Sequence, residues 1–255
     1  MRCCARSALA GAAAVVLLLV GCTGGEPDPD QQPSTSSASA VGVPSAAELA
    51  AALIAPDDLE GSWMLYEGGD SQDGSPGVIP EDEQEAGGSA VVLCEQASAE
   101  SLAAAEALRF KAGRQLGPSG QEPWAGDVLG PVIGEYLTSG EPADVEVTFN
   151  ALRDGMQACV GDVSGTLDNG TEFAWTVAEL ALPEAGDDRY GNVAVGTTAV
   201  DYHDLFEQAV VRSGPVLMYA QVAGGTRGDV VAPYTGDQLA DLMDAVVTIA
   251  TEKLP

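Results

Sequence analysis

The sequence predicts an α+β domain, an antiparallel sheet flanked by helices, placed after a lipidated and disordered tether. Three observations carry this. Strand-like segments outnumber helical ones and lie beside each other in the chain. Leu205–Arg212 and Val216–Val222 flank Ser213-Gly214-Pro215, a hairpin signature built on a turn-forming Gly-Pro. The helical segments open on capping residues and carry one-sided apolar stripes.

The chain opens with a basic stretch, Met1-Arg-Cys-Cys-Ala-Arg6, followed by the apolar run Ser7–Val20. That run of 14 residues is short of the about 20 needed to span a bilayer and fits the core of a signal peptide. It ends in Leu19-Val20-Gly21-Cys22, which resembles the bacterial lipobox. In lipoproteins of that type the peptide is cut before the Cys, whose thiol carries diacylglycerol and whose new amino group takes a further acyl chain such as palmitate. The alternative is an ordinary secretory signal that contains a Cys. The expected division is therefore signal peptide 1–21, lipidated Cys22 with tether 22–44, and one domain 45–255. The tether is Pro, Ser, Gly and Asp with almost nothing to bury. Its r.m.s. reach is about 25 Å as a flexible chain.

Cysteine arithmetic follows from that cut. Cys3 and Cys4 leave with the signal peptide and Cys22 takes the lipid, so Cys94 and Cys159 remain in an oxidising compartment with one possible pairing. Two separate buried thiols are the alternative. Neither residue has a Cys or His within four positions, which argues against a metal site.

Ser45-Ala-Ala-Glu48 is a capping box opening a helix. A turn between Pro56 and Gly61 leads to a strand over 62–67, then to a long Gly/Pro/acid loop over 68–88. Residues 98–108 are Ala-rich and helical, 109–116 extended, and Val132–Leu137 a strand. From Pro142, the residues Val145, Phe149, Leu152, Met156 and Cys159 recur at helical spacing, with Gly161 as a stop signal. Phe173, Trp175 and Val177 alternate like a half-buried strand, and Val193–Val195 lies in another. Thr235-Gly-Asp-Gln238 is a second capping box, opening a helix with Leu239, Leu242, Val246 and Ile249 on one stripe.

Charge excludes one large class of function. With 39 Asp+Glu against 10 Lys+Arg the net charge is −29, and loss of residues 1–21 removes Arg2 and Arg6 but no acid. Such a surface repels phosphate backbones, so no nucleic-acid partner is expected. Among chemical signals, the single histidine, His203, sits in Asp201-Tyr-His-Asp204 and is either a general base or a solvated surface residue. There is no G-x-S-x-G, H-E-x-x-H, phosphate-binding or dinucleotide-binding glycine motif, and no cofactor is expected. Asp70, Asp73, Glu81, Asp82, Glu83 and Glu85 match no calcium-loop spacing. The aromatic residues Trp63, Tyr66, Phe173 and Trp175 lie on candidate strands, either lining an apolar groove or packing the core.

The order of lipobox, Pro/Ser tether, APDDLEGSW (55–63), VLCEQA (92–97), FNALRDGMQACVG (149–161), the hairpin 205–222 and the terminal helix 237–254 resembles a family. It is that of actinobacterial lipoproteins similar to the extracellular sensor domain of the mycobacterial kinase PknH. The resemblance implies an antiparallel sheet with flanking helices, a cleft taken as a ligand site, and a Cys94–Cys159 bridge. Kinase-linked members carry a second Cys pair, and no cysteine follows Cys159 here. No kinase motif is present, so signalling would pass through a partner protein. The expected function is a non-enzymatic sensor or small-ligand-binding lipoprotein on the outer face of the cell membrane. The rivals are an envelope module that binds a secreted or membrane protein, and a hydrolase using His203.

Overall fold

The computed structural model describes residues 42–65, 77–79, 91–119, 128–166, 172–198, 202–230 and 234–255. Cys22, Tyr66, tether residues 23–41 and all six acids named in the 68–88 loop lie outside them. No helix among the described residues is long and apolar enough to cross a membrane.

The chain runs α1 (Ala46–Ala52), a 3₁₀ turn (Pro56–Asp58), β1 (Trp63–Leu65), α2 (Ala99–Ala107), β2 (Ala112–Pro118), β3 (Val128–Ser139), α3 (Pro142–Ala158), then β4 (Gly161–Thr166), β5 (Glu172–Leu180), β6 (Asp188–Thr198), β7 (Tyr202–Ser213), β8 (Val216–Arg227) and α4 (Gly236–Lys253). The strands form one antiparallel sheet in the order β1-β2-β3-β8-β7-β6-β5-β4. The expected α+β class is the one observed.

Alternation along each strand sorts the core into two layers. On one face Val211, Met218, Ala220, Val222, Ile133 and Leu137 meet α1 and α4. On the other, Val210, Leu217, Tyr219 and Tyr190 meet α2 and α3 through Phe149, Leu152 and Met156. The central strand β8 is thus buried on both sides, which is why VLMYAQV reads as a continuous apolar run and not an alternating one. The expected hairpin forms with Ser213 opposite Val216, and Gly214 takes the left-handed φ of 54° that the tight turn demands.

The capping boxes at Ser45/Glu48 and Thr235/Gln238 are both present. In α3 the whole stripe Val145, Phe149, Leu152, Met156, Cys159 is buried as its spacing requires. In α4 the buried line is rotated toward Met243, Val247 and Ala250, with Leu242 and Ile249 at its flank. The main element the sequence reading lacked is β4, which starts on the same Gly161 that stops α3. It is an edge strand of small and polar residues in which Val163 alone is buried, so it shows no alternation to detect.

Two glutamates are buried on the α1/α4 face, each only 2% exposed. Glu135 on β3 accepts the Ile54 N–H at 2.7 Å through Oε2, while its Oε1 has no partner. Around it Arg114 donates to the Ile54 carbonyl at 2.8 Å, and Lys253 donates to the Leu53 carbonyl at 3.0 Å and pairs with Asp58. This cluster ties the end of α1 and the end of α4 to the sheet. Glu207 on β7 faces α4 with Oε2 unpartnered. Burial pushes both carboxyls up to about 7, helped for Glu207 by the Asp244 charge and opposed for Glu135 by the Ile54 N–H, Arg114 and Lys253.

Because the folded state holds these protons more tightly than the unfolded chain, their stabilisation is complete below pH 4.5 and is lost as pH rises toward 7. Each group accounts for at most about 3 kcal/mol. Glu135→Gln keeps an acceptor for Ile54 and removes the titration. Denaturant unfolding between pH 4.5 and 7.5 is expected to show a flatter stability curve for that variant than for the wild type. An unchanged slope would refute the assignment.

Candidate functional site

The two helix layers do not reach the full width of the sheet. Beyond α3, strands β4, β5 and β6 carry a third apolar cluster of Val163, Val177 and Ala194, with Phe173, Trp175, Phe206 and Cys94 packed against it. A cleft opens there, roofed by the irregular segment Val92-Leu93-Cys94 and closed at one end by Cys159 at the C-terminus of α3. Its floor is Val163, Val177, Asn192 and Ala194, all buried, and its rim is Phe173, Trp175, Phe206 and Val92. The free volume, about 30 Å³, holds about two waters, so anything larger enters by moving the roof or the rim.

Three interactions hold the roof. Cys94 and Cys159 are joined by a disulfide, with Cα atoms 5.6 Å apart. Gln208 on β7 uses its side-chain amide as a strand would use its backbone. It donates Nε2–H to the Val92 carbonyl at 2.9 Å and accepts the Val92 N–H at Oε1, 3.3 Å. The same Oε1 accepts the Tyr219 hydroxyl at 3.0 Å, and burial raises that phenol well above its ordinary pKa.

At the rim, the Phe173 and Trp175 rings meet at a tilt of 34° with centroids 4.5 Å apart. The Trp175 indole lies across Gly196, its neighbour on β6. A Cβ at Gly196 would come within 2.7 Å of the indole Cδ1 and 2.1 Å of the Ala174 carbonyl oxygen, so only glycine lets the ring cross. Beyond Gly196 stands Asp204 on β7. Burial raises its carboxyl above the ordinary value, against the lowering influence of Thr198, the Trp175 indole and His203.

On the opposite face of the sheet, at the same strand ends, a more open hollow of about 270 Å³ is lined by Val195, Thr197, His203, Leu205, Thr226 and Tyr234. His203 is exposed there, opposite Thr197 and Thr226, and Tyr234 donates its hydroxyl to the Gly225 carbonyl at 3.2 Å. Among the described residues no group of three or more His, Cys, Asp or Glu is placed to hold a metal ion.

The aromatic residues singled out in the sequence therefore divide. Phe173 and Trp175 meet in the cleft, whereas Trp63 lies on β1, with five strands between it and β5, and donates its indole N–H to the Glu60 carbonyl at 2.9 Å. Asn192, Gln208, Phe206 and Val163 complete the cleft without having been singled out. A signal for two of them exists. Asn192 falls between Tyr190 and Ala194, and Gln208 between Phe206 and Val210, so each is a polar residue at an inward-facing phase.

No protein-family model matches the chain, and no curated protein matches it in sequence. Among solved structures it is similar to the extracellular domain of PknH from Mycobacterium tuberculosis, with TM-score 0.48 and 13% identity over 83% of this chain and 98% of that one. It is also similar to LpqN of Mycobacterium tuberculosis, described as involved in cell envelope biogenesis, at TM-score 0.26 and 13% identity over 77% of this chain and 91% of that one. The lipid transfer and protein localization domain of human StarD13 gives 0.21 and 11% over 56% and 84% respectively. These likenesses amount to a distant structural resemblance.

Gly196→Ala is expected to destabilise the fold by about 2 kcal/mol, because backbone on one side and the indole on the other leave the methyl no space. Thermal unfolding together with tryptophan emission would show it; unaltered stability and emission would contradict the crossing. Reducing the disulfide, which closes a separation of 65 residues, should cost about 4 kcal/mol in the same measurement.

Proposed function

We propose that this chain is a lipid-anchored, extracytoplasmic binding domain without catalytic activity, which holds a small apolar ligand in the cleft between β4–β6 and the segment 91–94. One observation carries the reading: an apolar cleft with a Phe173–Trp175 aromatic rim, left at the end of a sheet whose middle strands are covered by helices on both faces. Aromatics over an aliphatic floor, with few polar groups, are what a small-molecule site of this kind requires. The lipobox at Cys22 supports an anchor on the outer face of the membrane, and the acid excess supports a body held off anionic lipid.

The neutral, rod-shaped dye diphenylhexatriene, titrated into the purified domain, tests the cleft. Binding is expected in the wild type. Ala194→Phe, which fills the floor, is expected to weaken it about tenfold, a difference of about 1.4 kcal/mol. Thermal unfolding of the variant verifies that it is folded. Absence of dye binding to the wild type would refute a ligand cleft. For the anchor, Cys22→Ser is expected to abolish metabolic labelling by palmitate and to release the protein into the medium. Retention at the membrane would overturn the lipobox reading.

A further inference from the structure

The cleft is apolar but not uniformly so, and its polar groups are unequal. Two buried amides line it: Gln208, 3% exposed, and Asn192, 1% exposed. Gln208 is engaged at both ends of its amide, donating one Nε2–H to the Val92 carbonyl and accepting the Val92 N–H and the Tyr219 hydroxyl at Oε1. Asn192 is not. The one hydrogen bond of its side chain among the described residues is a long donation, 3.4 Å, from Nδ2 to the Met156 carbonyl. A second N–H and the side-chain carbonyl oxygen are left for whatever fills the space above the floor. A buried amide short of partners is costly, and such groups are satisfied by water or by a ligand.

The charge of the lining is equally specific. Among the described residues no Lys, Arg or His lines the cleft, so a carboxylate or phosphate buried there would have no counter-charge from them. Among the described residues no Asp or Glu lines it either, which leaves a buried ammonium without a partner there. Valines, Ala194, Phe206 and the aromatic pair are left to cover hydrocarbon, and the narrow free volume favours a slender body over a fused ring system.

We infer that the ligand is an uncharged single-chain amphiphile, such as an acyl ester, whose neutral head hydrogen-bonds the Asn192 amide while its chain packs under the Phe173–Trp175 rim. Asn192 is then the residue that selects the head, and the rim selects the chain. This rests on the binding function proposed above and adds the chemistry of the occupant. A neutral ester or hydroxyl both accepts from the amide N–H and leaves no charge to desolvate. A plain alkane leaves the amide unpartnered, and a charged head loses its hydration without replacement.

The test displaces diphenylhexatriene from the full domain with three competitors of equal chain length: 1-monolauroylglycerol, dodecanoate and dodecyltrimethylammonium, each below its critical micelle concentration, at pH 8. The monoglyceride is expected to compete at least tenfold better than either charged amphiphile. Asn192→Leu is expected to keep dye binding and to lose that preference, bringing the three within about threefold of one another. If Asn192→Leu does not fold, Asn192→Ala reports the same ratio. Equal competition by all three in the wild type overturns the assignment of ligand class while leaving the dye-binding cleft in place. Failure of the dye to bind overturns the underlying function, so the two failures are distinct. Preference for the monoglyceride that persists in the Asn192 variants overturns the role of Asn192.

Discussion

The constraint on which the rest depends is the width of the sheet relative to its helical cover. Eight strands side by side are wider than the two helix pairs that flank them. The middle strands β3, β8 and β7 are consequently buried on both faces, and most of the hydrophobic stabilisation comes from there. The β4–β5 end meets neither pair of helices, and its inward residues must find another cover. They find it in a segment without regular structure, pinned by a disulfide and one glutamine. The cleft is the direct outcome of that mismatch.

Polar groups inside this molecule do different work according to their partners. Around Glu135, the main-chain atoms at the end of α1, Arg114 and Lys253 form a small network that locates two helices on the sheet. Glu207 lacks such a network and faces Asp244, so it carries the cost of burial without the directional gain. Gln208 and Asn192 repeat the contrast on the other face: one amide makes three hydrogen bonds and fixes a loop, the other makes a single long one. In each pair, the member with more partners locates part of the fold, and the other is held by fewer bonds.

Much of the fold is legible in the sequence because local signals agree with tertiary demands. The Ser45 and Thr235 boxes, the α3 stripe and the Ser213-Gly214-Pro215 turn each specify their element by short-range chemistry, and each element appears where that chemistry puts it. The site is less legible. Phe173 and Trp175 stand out as aromatics on a strand, but nothing local tells that Trp63, on an equally strand-like segment, belongs to the opposite end of the sheet. Strand order is a long-range property that a period of two does not encode. β4 is invisible for a related reason, since its pairing with β5 is made by backbone and leaves little imprint on its side chains. Gln208 and Asn192 could be found by asking which inward phases are polar, a question that presupposes knowing which face is inward.

The bond pattern of Gln208 has a geometric result of its own. A neighbouring strand would lie in the plane of the sheet at the spacing of a backbone ladder. Here a side chain performs the pairing, so Val92 stands above the sheet by the length of a glutamine. The height of the cleft is therefore gauged by three carbon–carbon bonds, and the residue at position 208 acts as a caliper: one methylene fewer would bring the roof down on the floor, and the opening would close.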